Sequence, residues 1–276
     1  MVVFPNCKIN LGLRILNKRE DGYHNLETIF YPVPLKDALE IIPSGGTDPI
    51  QFSSSGLIVG GDTETNICVK AYRLLKKDFP ALASVKIHLH KSIPIGAGLG
   101  GGSADGAFTL QLLNKLLKLN LSKNQLIDYA LQLGSDCPFF VLNTPCLATG
   151  RGEIMEPVDI DLSAYQLMIV NPCIHVNTGQ AFSYLDRQKI NNHSVSLKEI
   201  IHQPVNTWQQ LLINNFEEPL FNKYPLIKEI KETLYKMGAS FAAMSGSGST
   251  VYGLFDKNLQ PVINFNRNFF VQLVSL

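Results

Sequence analysis

The chain has 276 residues, which at roughly 150 residues per domain corresponds to one or two domains with enough core to need no metal or disulfide. Apolar residues make up 45% and charged residues 17%, a composition that is typical of globular proteins and excludes a disordered chain. Lys and Arg number 24 against 23 Asp and Glu, and this net charge of +1 disfavours nucleic acid and anionic membranes as partners.

The cysteine pattern points to a reducing compartment. The five cysteines are widely spaced and form no C-x-x-C pair, which disfavours a disulfide framework and a cysteine-based zinc site. No signal-peptide pattern opens the chain, and no apolar run approaches the roughly 18 residues that span a bilayer. We therefore expect a soluble, cytoplasmic protein with no membrane partner and no metal held by its own side chains.

The first predicted element is a strand from Cys7 to Ile15, in which apolar and polar residues alternate. This period of two predicts a half-buried strand with one polar face. Lys8 and Asn10 lie two residues apart and therefore share that face.

The rest of the chain alternates between predicted strands and helices. In chain order we expect extended segments over 26–42 broken at Pro32 and Pro34, a loop or short edge strands over 44–65, a helix over 66–79, a strand over 85–90, helices over 103–119 and 122–134, a strand over 167–170, helices over 181–187, 208–214 and 225–237, and strands over 241–244 and 251–255. A new unit should begin after Glu153. This order predicts a mixed α/β or α+β enzyme with two lobes.

The strand over 85–90 directs Lys86, His88 and His90 to one side. Two histidines at this spacing could bind a metal ion, but no third ligand lies nearby in the sequence. We favour the interpretation that they form the solvated face of the strand.

The densest glycine segment of the chain opens a predicted helix. It consists of Pro94, Ile95, Gly96, Ala97, Gly98, Leu99, Gly100, Gly101, Gly102, Ser103 and Ala104. Glycines let backbone N–H groups converge, and the start of the helix adds free N–H groups and a positive dipole end, so the segment suits a phosphate chain. A Walker A loop would need Lys where Gly102 stands. The spacing of Gly96, Gly98 and Gly101 matches a dinucleotide fingerprint, but the acidic residue expected about 20 positions later is missing.

Asp136 stands between a helix-ending glycine, Gly134, and a very apolar run. Its carboxylate could cap a short helix that Pro138 helps to begin, or it could act as a general base on a substrate hydroxyl; the local sequence leaves both open. Lys8 is a candidate partner that would keep the base ionised. A second glycine cluster, from Ser245 to Thr250, is a candidate second wall of the same site.

In their order along the chain, these motifs resemble the three signatures of the GHMP kinases. The segments that carry the resemblance are Pro5 to Leu13, Pro94 to Ala104 and Ser245 to Thr250. Three further motifs resemble the members of that superfamily that phosphorylate 4-diphosphocytidyl-2-C-methyl-D-erythritol: Lys8-Ile9-Asn10-Leu11, Arg19-x-Asp21-Gly22-Tyr23-His24 and Gly134-Ser135-Asp136-x-Pro138-Phe139-Phe140.

The resemblance implies an α+β fold with an N-terminal α/β nucleotide-binding lobe (1–158), a ferredoxin-like C-terminal lobe (159–276) and a site between them. It implies transfer of a phosphoryl group from ATP, with Mg²⁺ as cofactor, to the 2-hydroxyl of that small molecule in the non-mevalonate route to isoprenoid precursors. Asp136 would be the general base and Lys8 its partner, while ATP would lie along Pro94 to Ala104. We expect a monomer or a weak homodimer.

The resemblance also implies which residues bind the substrate. Asn10 would contact it, Tyr23 and Phe182 would stack on the two faces of its cytosine, His24 would bond to the edge of the base, and Thr178 would belong to the same element as Phe182. Two positions depart from the family pattern: Asp105 replaces a usual Asn beside the phosphates, and Gly179 replaces a common Pro.

Three alternatives remain open at this point. The chain could be another GHMP kinase, acting on mevalonate or homoserine; Tyr23 and His24 argue against this because those substrates offer no base to stack. It could be a dinucleotide-binding reductase, on the spacing of three glycines alone. It could also be a nucleotide-binding module without catalysis, which would not need Lys8 and Asp136.

Overall fold

A computed structural model describes residues 1–185 and 195–276. The twelve described strands are β1 (Val2–Val3), β2 (Asn6–Lys18), β3 (His24–Lys36), β4 (Ala38–Pro43), β5 (Ile50–Gly56), β6 (Val85–Lys91), β7 (Cys146–Thr149), β8 (Ile154–Pro157), β9 (Tyr165–Asn171), β10 (Phe241–Met244), β11 (Val251–Asp256) and β12 (Phe270–Ser275). The eight described α-helices are α1 (Ile67–Asp78), α2 (Gly101–Leu116), α3 (Lys123–Leu133), α4 (Cys137–Leu142), α5 (Thr178–Ser183), α6 (Leu197–Ile201), α7 (Glu217–Lys223) and α8 (Pro225–Lys236). Short 3₁₀ helices cover Thr63–Thr65 and Val205–Gln210.

The chain folds into two compact units, each made of several stretches of sequence. Unit 1 consists of Met1–Cys7, Leu35–Ile95 and Gly100–Thr144. Unit 2 consists of Lys8–Pro34, Gly96–Leu99 and Pro145–Leu276. The glycine-rich segment is therefore divided between them. The boundary expected after residue 158 stays a prediction.

Unit 1 is a four-stranded sheet, in the order β1-β4-β6-β5, with α1 to α4 packed beside it and beside one another. β5 runs parallel to β6 at the edge of the sheet, and β4 runs antiparallel to it. On β6 the apolar side chains are buried and the alternate ones are half-buried or exposed, as the alternation predicted. His88 and His90 lie on that outer face, where their ring nitrogens hydrogen-bond to Ser53 and Ser55 of β5.

Local sequence signals explain the helix ends of unit 1. Asn66 caps α1 by accepting a hydrogen bond from the Cys68 N–H, and Ser122 and Gln125 form a complete capping box at the start of α3. Both helices match their predicted positions, and α2 begins two residues before the predicted Ser103.

Unit 2 contains two four-stranded sheets, in the orders β2-β3-β7-β8 and β10-β11-β9-β12. The second sheet is antiparallel throughout, with α8 packed against β10 and β11. Its core includes Met168, Val170, Ile230, Leu234 and Phe255. Antiparallel sheets with helices grouped beside them make the architecture α+β.

The structure corrects the prediction for the first strand. From Asn6 to Ile15, β2 is buried on both faces, including Lys8, Asn10 and Arg14, each at most 3% exposed. The polar face is covered by a distant stretch of the chain, because Arg14 donates to the Val195 carbonyl and a Cβ at Gly12 would touch Leu197. The alternation of apolar and polar residues shows which side chains share a face of the strand, but it does not show what covers each face.

Other element predictions also differ from the structure. β3 runs through Pro32 and Pro34 and ends at Lys36; its pairing with β7 involves only Thr28 to Phe30, so that neighbour requires no N–H at either proline. The helix expected over 208–214 is a 3₁₀ helix at Val205–Gln210. The helix expected over 181–187 is α5 at Thr178–Ser183, and the predicted end at Arg187 lies outside the described residues.

Candidate active site

In unit 1, the start of α2 offers unpaired backbone donors. Gly100 precedes the helix in the left-handed conformation (φ 69°), and no side chain caps the helix there. The N–H groups of the first turn therefore have no partner within the helix, and they lie at its positive end. This is the arrangement that binds phosphate groups.

The two glycines that begin α2 serve different purposes. A Cβ at Gly101 would lie 2.8 Å from Ile93 Cγ2 and 3.0 Å from Lys91 Nζ, so this glycine allows α2 to pack closely. A Cβ at Gly102 would meet no atom within 4 Å. Gly102 is thus the glycine whose backbone is open to an approaching ligand.

Behind this turn lies a buried charge cluster that sequence reasoning missed. The Lys91 ammonium lies 2.5 Å from Asp37 Oδ2 and 2.7 Å from Asp105 Oδ2. Asp37 Oδ1 also accepts hydrogen bonds from the N–H groups of Ser92 and Ile93, at the start of the glycine-rich loop. The Asp at position 105, where the family usually has Asn, is therefore paired with Lys91. Asp37, Lys91 and Asp105 are too far apart in sequence for a local motif to reveal the cluster.

Asp105 is a weakened acid. Burial raises its pKa to about 7, although the charge of Lys91 opposes that shift. Its Oδ1 atom is buried without a hydrogen-bond partner, whereas both oxygens of Asp37 accept hydrogen bonds. The two carboxylates together hold the pKa of Lys91 above its usual value, against the effect of its own burial.

Asp136, also in unit 1, stands at the N-cap position of α4, but its side chain makes no capping hydrogen bond. The structure thus removes the helix-cap interpretation of this residue. The carboxylate is half-buried, whereas Cys137 to Val141 after it are buried. The Cys137 thiol hydrogen-bonds to the side chain of Ser103 in the first turn of α2, which brings the start of α4 next to the start of α2.

In unit 2, Lys8 and Asn10 form a buried polar pair on β2. The Lys8 ammonium donates to Asn10 Oδ1 at 2.6 Å and to the Gly98 carbonyl at 3.2 Å, and it lies 5.0 Å from the centre of the Phe30 ring. The Asn10 amide donates to the Thr28 hydroxyl at 2.9 Å. These contacts hold a lysine side chain, normally flexible, in one orientation.

The second glycine cluster packs against the middle of the first, and the prediction that the two form walls of one site stays a prediction. Ser245 Oγ donates to the Gly98 carbonyl at 2.8 Å, and the Thr250 N–H donates to the Ala97 carbonyl at 3.3 Å. A Cβ at Gly98 would lie 2.0 Å from the Ser245 carbonyl oxygen, so only glycine allows this approach. The part played by the Ser245 hydroxyl has no signal in the sequence.

The aromatic residues predicted to bind a base lie in unit 2. His24 stacks on Phe182 with ring centres 4.8 Å apart and planes 15° apart, and Phe182 also meets Phe216 edge-on at 4.9 Å. Tyr23 is 57% exposed, and the Arg151 guanidinium covers its ring at 4.9 Å. The structure thus brings His24 and Phe182 together and leaves much of Tyr23 accessible, while the stacking of a cytosine on these rings stays a prediction.

Thr178 begins α5, and its hydroxyl hydrogen-bonds to Ser247 of the second glycine cluster at 2.9 Å. Gly179 follows it, and a Cβ there would lie 3.2 Å from Asn177 Oδ1, the atom that caps the helix. A side chain at position 179 would crowd this cap, which explains how glycine fits where the family commonly has proline.

Within residues 1–185 and 195–276, no group of three or more His, Cys, Asp or Glu side chains is arranged to hold a metal ion. Over the same part of the chain, none of the helices combines the length and the apolar character that crossing a bilayer requires.

Two family models match the sequence, that of the GHMP kinase N-terminal domain over residues 66–144 and that of the GHMP kinase C-terminal domain over residues 196–272. A relative from Bacteroides fragilis, named 4-diphosphocytidyl-2-C-methyl-D-erythritol kinase, is 53% identical over 256 residues, which cover 92% of each chain.

Solved structures are similar as well. A crystal structure of 4-(cytidine 5'-diphospho)-2C-methyl-D-erythritol kinase superposes with a TM-score of 0.80 at 31% identity, covering 92% of this chain and 90% of that one. A homoserine kinase from Cytophaga hutchinsonii superposes with a TM-score of 0.71 at 14% identity, covering 100% and 94%, and at that identity it shows the fold alone.

Proposed function

The chain belongs to the GHMP kinase family, and from this premise we propose that it phosphorylates the 2-hydroxyl of 4-diphosphocytidyl-2-C-methyl-D-erythritol with ATP. The products are the 2-phosphate and ADP, within the non-mevalonate route to isoprenoid precursors. The observation that carries the proposal is the 53% identity, over 92% of both chains, to a relative that bears this enzyme's name. The motifs around Lys8, Tyr23 and Asp136 support it independently.

We assign the general base to Asp136. Its carboxylate takes the proton of the 2-hydroxyl, the oxygen then forms a bond to the γ-phosphorus of ATP, and the bond from that phosphorus to the bridging oxygen breaks to release ADP. The Asp136 side chain makes no capping hydrogen bond to α4, so the start of that helix does not depend on it. The segment Pro94 to Ala104 holds the phosphate chain through backbone N–H groups, chiefly at the open start of α2.

Lys8 supplies a fixed positive charge for the negative groups of the reaction, and Asn10 contacts the substrate. The Lys8 side chain is 97% buried and held by two acceptors, so little reorientation is needed when the reaction charge develops. Asn10 Oδ1 accepts a hydrogen bond from the Lys8 ammonium, and the Asn10 amide nitrogen donates one to the Thr28 hydroxyl.

Magnesium fits a site of this kind through the phosphates of ATP. Mg²⁺ keeps several waters and binds kinase sites largely through phosphate oxygens, without a cage of protein ligands. The phosphates that lie along Pro94 to Ala104 would hold the ion, which would neutralise phosphate charge when bound.

The cytidine part of the substrate would bind the aromatic residues of unit 2. Tyr23 presents an exposed ring with one face covered by Arg151, which leaves the other face for a base. His24 and Phe182 form a stacked pair, and the Thr178 hydroxyl hydrogen-bonds to Ser247 at the start of the helix that carries Phe182. In this proposal Tyr23 and Phe182 stack on cytosine and His24 bonds to its edge.

We also propose a cytoplasmic monomer or weak homodimer without nucleic-acid partners. The near-neutral charge supports this, as do the five free cysteines, which suit a reducing compartment.

One assay tests the function directly. ADP release from ATP is measured with the cytidyl substrate, with mevalonate and with homoserine at equal concentrations. Turnover with the cytidyl substrate alone is expected. Turnover with mevalonate or homoserine instead would show that the chain is a different GHMP kinase. If none of the three substrates gave ADP, only the nucleotide-binding role would remain.

A further inference from the structure

Asn214 is a buried amide whose hydrogen-bonding groups are all engaged. Its Nδ2 donates to the Met244 carbonyl at 2.8 Å and to the Gly246 carbonyl at 2.8 Å, and its Oδ1 accepts from the Phe216 N–H at 3.0 Å. The side chain is 2% exposed. The two carbonyls flank Ser245, so one amide holds the backbone on both sides of that residue.

The backbone around Asn214 is bound to β2. The Leu13 N–H donates to the Ile213 carbonyl at 2.9 Å, and the Asn215 N–H donates to the Leu13 carbonyl at 2.8 Å. Leu13 and Asn214 form a parallel bridge. Asn214 therefore joins the strand that carries Lys8 and Asn10, through its backbone, to the second glycine cluster, through its side chain.

The chain of contacts continues to Lys8. Ser245 Oγ donates to the Gly98 carbonyl, and that carbonyl also accepts a hydrogen bond from the Lys8 ammonium. We propose that Asn214 is a positioning residue that holds Ser245, and through it the Gly98 carbonyl, in the place that orients Lys8. The proposal rests on the proposed function only in taking Lys8 as a catalytic group.

The chemistry of the site explains why asparagine is needed. Two carbonyl oxygens face one nitrogen, and only an NH₂ group supplies two donors from one atom on so short a side chain. Aspartate has the same shape but donates no hydrogen bond when ionised, and it would place a negative charge against two carbonyl oxygens. Alanine would leave both buried carbonyls without this partner.

The test is a double-mutant cycle on Asn214→Asp and Ser245→Ala, read as kcat and as KM for ATP. Each single variant should lower kcat by about 10- to 100-fold, since small displacements of a catalytic group have effects of that size. The double variant should be no more than about twofold slower than the slower single variant, because both changes break one chain of contacts. KM for ATP should stay within about twofold of wild type in all three.

Asn171→Ala is the matched control. Asn171 is also buried, and its Nδ2 donates to Ser249 and Thr250 of the same cluster, at 3.3 and 2.9 Å, but it touches neither carbonyl beside Ser245. Its kcat should stay within about twofold of wild type even where its melting temperature falls as far as that of Asn214→Asp. Losses of kcat that multiply in the double variant, or an equal loss in Asn171→Ala, would overturn the proposal and leave Asn214 a purely structural residue.

If the Asn214 variants do not fold, Ser245→Ala against Tyr235→Phe decides the matter. The Tyr235 hydroxyl donates to the Ala242 carbonyl of β10, outside the second glycine cluster, so only the Ser245 variant should lose kcat, and an unchanged Ser245→Ala overturns the proposal. The measurements use the cytidyl substrate or, if the wild type rejects it, whichever alcohol the wild type phosphorylates. Failure of the proposed function is thereby separated from failure of the positioning role.

Discussion

Lys91 and Asp105 lie 2.7 Å apart in the interior of unit 1, with Asp37 on the other side of the ammonium. One positive charge therefore faces two carboxylates, and full ionisation leaves a net negative charge in the core. Because Asp105 Oδ1 has no partner and Asp37 is fully hydrogen-bonded, Asp105 is the group that takes up a proton.

This relationship predicts an unusual pH dependence of stability. In the unfolded chain the pKa of Asp105 is about 3.9, whereas burial raises the pKa of the folded carboxyl to about 7. Between those values the folded state binds more protons than the unfolded state, so the free energy of unfolding should fall as pH rises from about 4 to about 7, by an amount on the order of 2–4 kcal/mol. Above pH 7 both states are ionised and this contribution stays constant.

Asp105→Asn should remove that fall, because the amide is neutral at every pH. Urea unfolding of both proteins between pH 4.5 and 8, at about half-unit steps, measures the difference. Asp37→Asn is the control. It removes the carboxylate whose two oxygens both accept hydrogen bonds, so it should destabilise the protein across the whole pH range. Parallel stability curves for wild type and Asp105→Asn would show that Asp105 is not the titrating group.

Asp136→Asn should lower kcat by about 10²–10⁴-fold in a protein that still folds, since the amide keeps the size of the side chain and no helix cap is lost. Ser122→Ala is a matched contrast, because Ser122 does cap α3. That variant should lose about 0.5–2 kcal/mol of stability with kcat unchanged. Steady-state kinetics and thermal melting of both variants separate the two roles, and a fully active Asp136→Asn would end the assignment of the base.

The sequence predicts those parts of the fold that depend on neighbouring residues. The capping box of α3 and the alternation of β6 were predicted at the right positions, because a cap or a strand face involves residues only two or three apart. The pairing of β12 with β9 was not predicted, since its partner lies about a hundred residues away. For the same reason the sequence revealed Asp105 as a departure but did not reveal Lys91 and Asp37 as its partners.

The candidate site shows the same division. Lys8, Asn10, Asp136 and the glycines stand in local motifs, so a single stretch of chain reveals each of them. The contact between Ser245 and Gly98 joins residues that are 147 positions apart, and neither residue alone signals it. Burial of the polar face of β2 was likewise missed, because the covering segment follows almost two hundred residues later.

The two glycines at the start of α2 should respond oppositely to alanine. Gly102→Ala places a methyl group in the open space beside the first turn of α2 and should raise KM for ATP on the order of tenfold, with stability kept or slightly increased by better helix propensity. Gly101→Ala should instead lose about 1–3 kcal/mol of stability, because the methyl group meets Ile93 and Lys91. Nucleotide titration and thermal melting distinguish them. An unchanged KM in Gly102→Ala would place the phosphates elsewhere.

Tyr23 should contribute to binding of the substrate through its cytosine. Tyr23 is 57% exposed and contributes little to the core, so Tyr23→Ala should fold with an unchanged melting temperature. Stacking on an aromatic ring contributes about 1–3 kcal/mol per base, which corresponds to a rise in KM for the cytidyl substrate of roughly 5- to 150-fold. KM for ATP should stay nearly constant, because the glycines hold a different ligand. Leu16→Ala, which removes another exposed apolar side chain (43% exposed) from the same hairpin, is the control and should change neither constant.

His24→Ala should act on specificity instead of affinity alone. Cytosine presents an acceptor at N3 where uracil carries a hydrogen, so a side chain that bonds to this edge distinguishes the two bases. We expect the ratio of kcat/KM for the cytidyl substrate over its uridyl analogue to fall at least about tenfold in His24→Ala, the size of effect that loss of one such hydrogen bond produces. Because His24 stacks on Phe182, Phe182→Leu is the control: it removes the stacked ring and retains His24. It should raise KM for both substrates equally and keep the ratio. A ratio that falls in Phe182→Leu and holds in His24→Ala would assign the recognition of the base edge to a group other than His24.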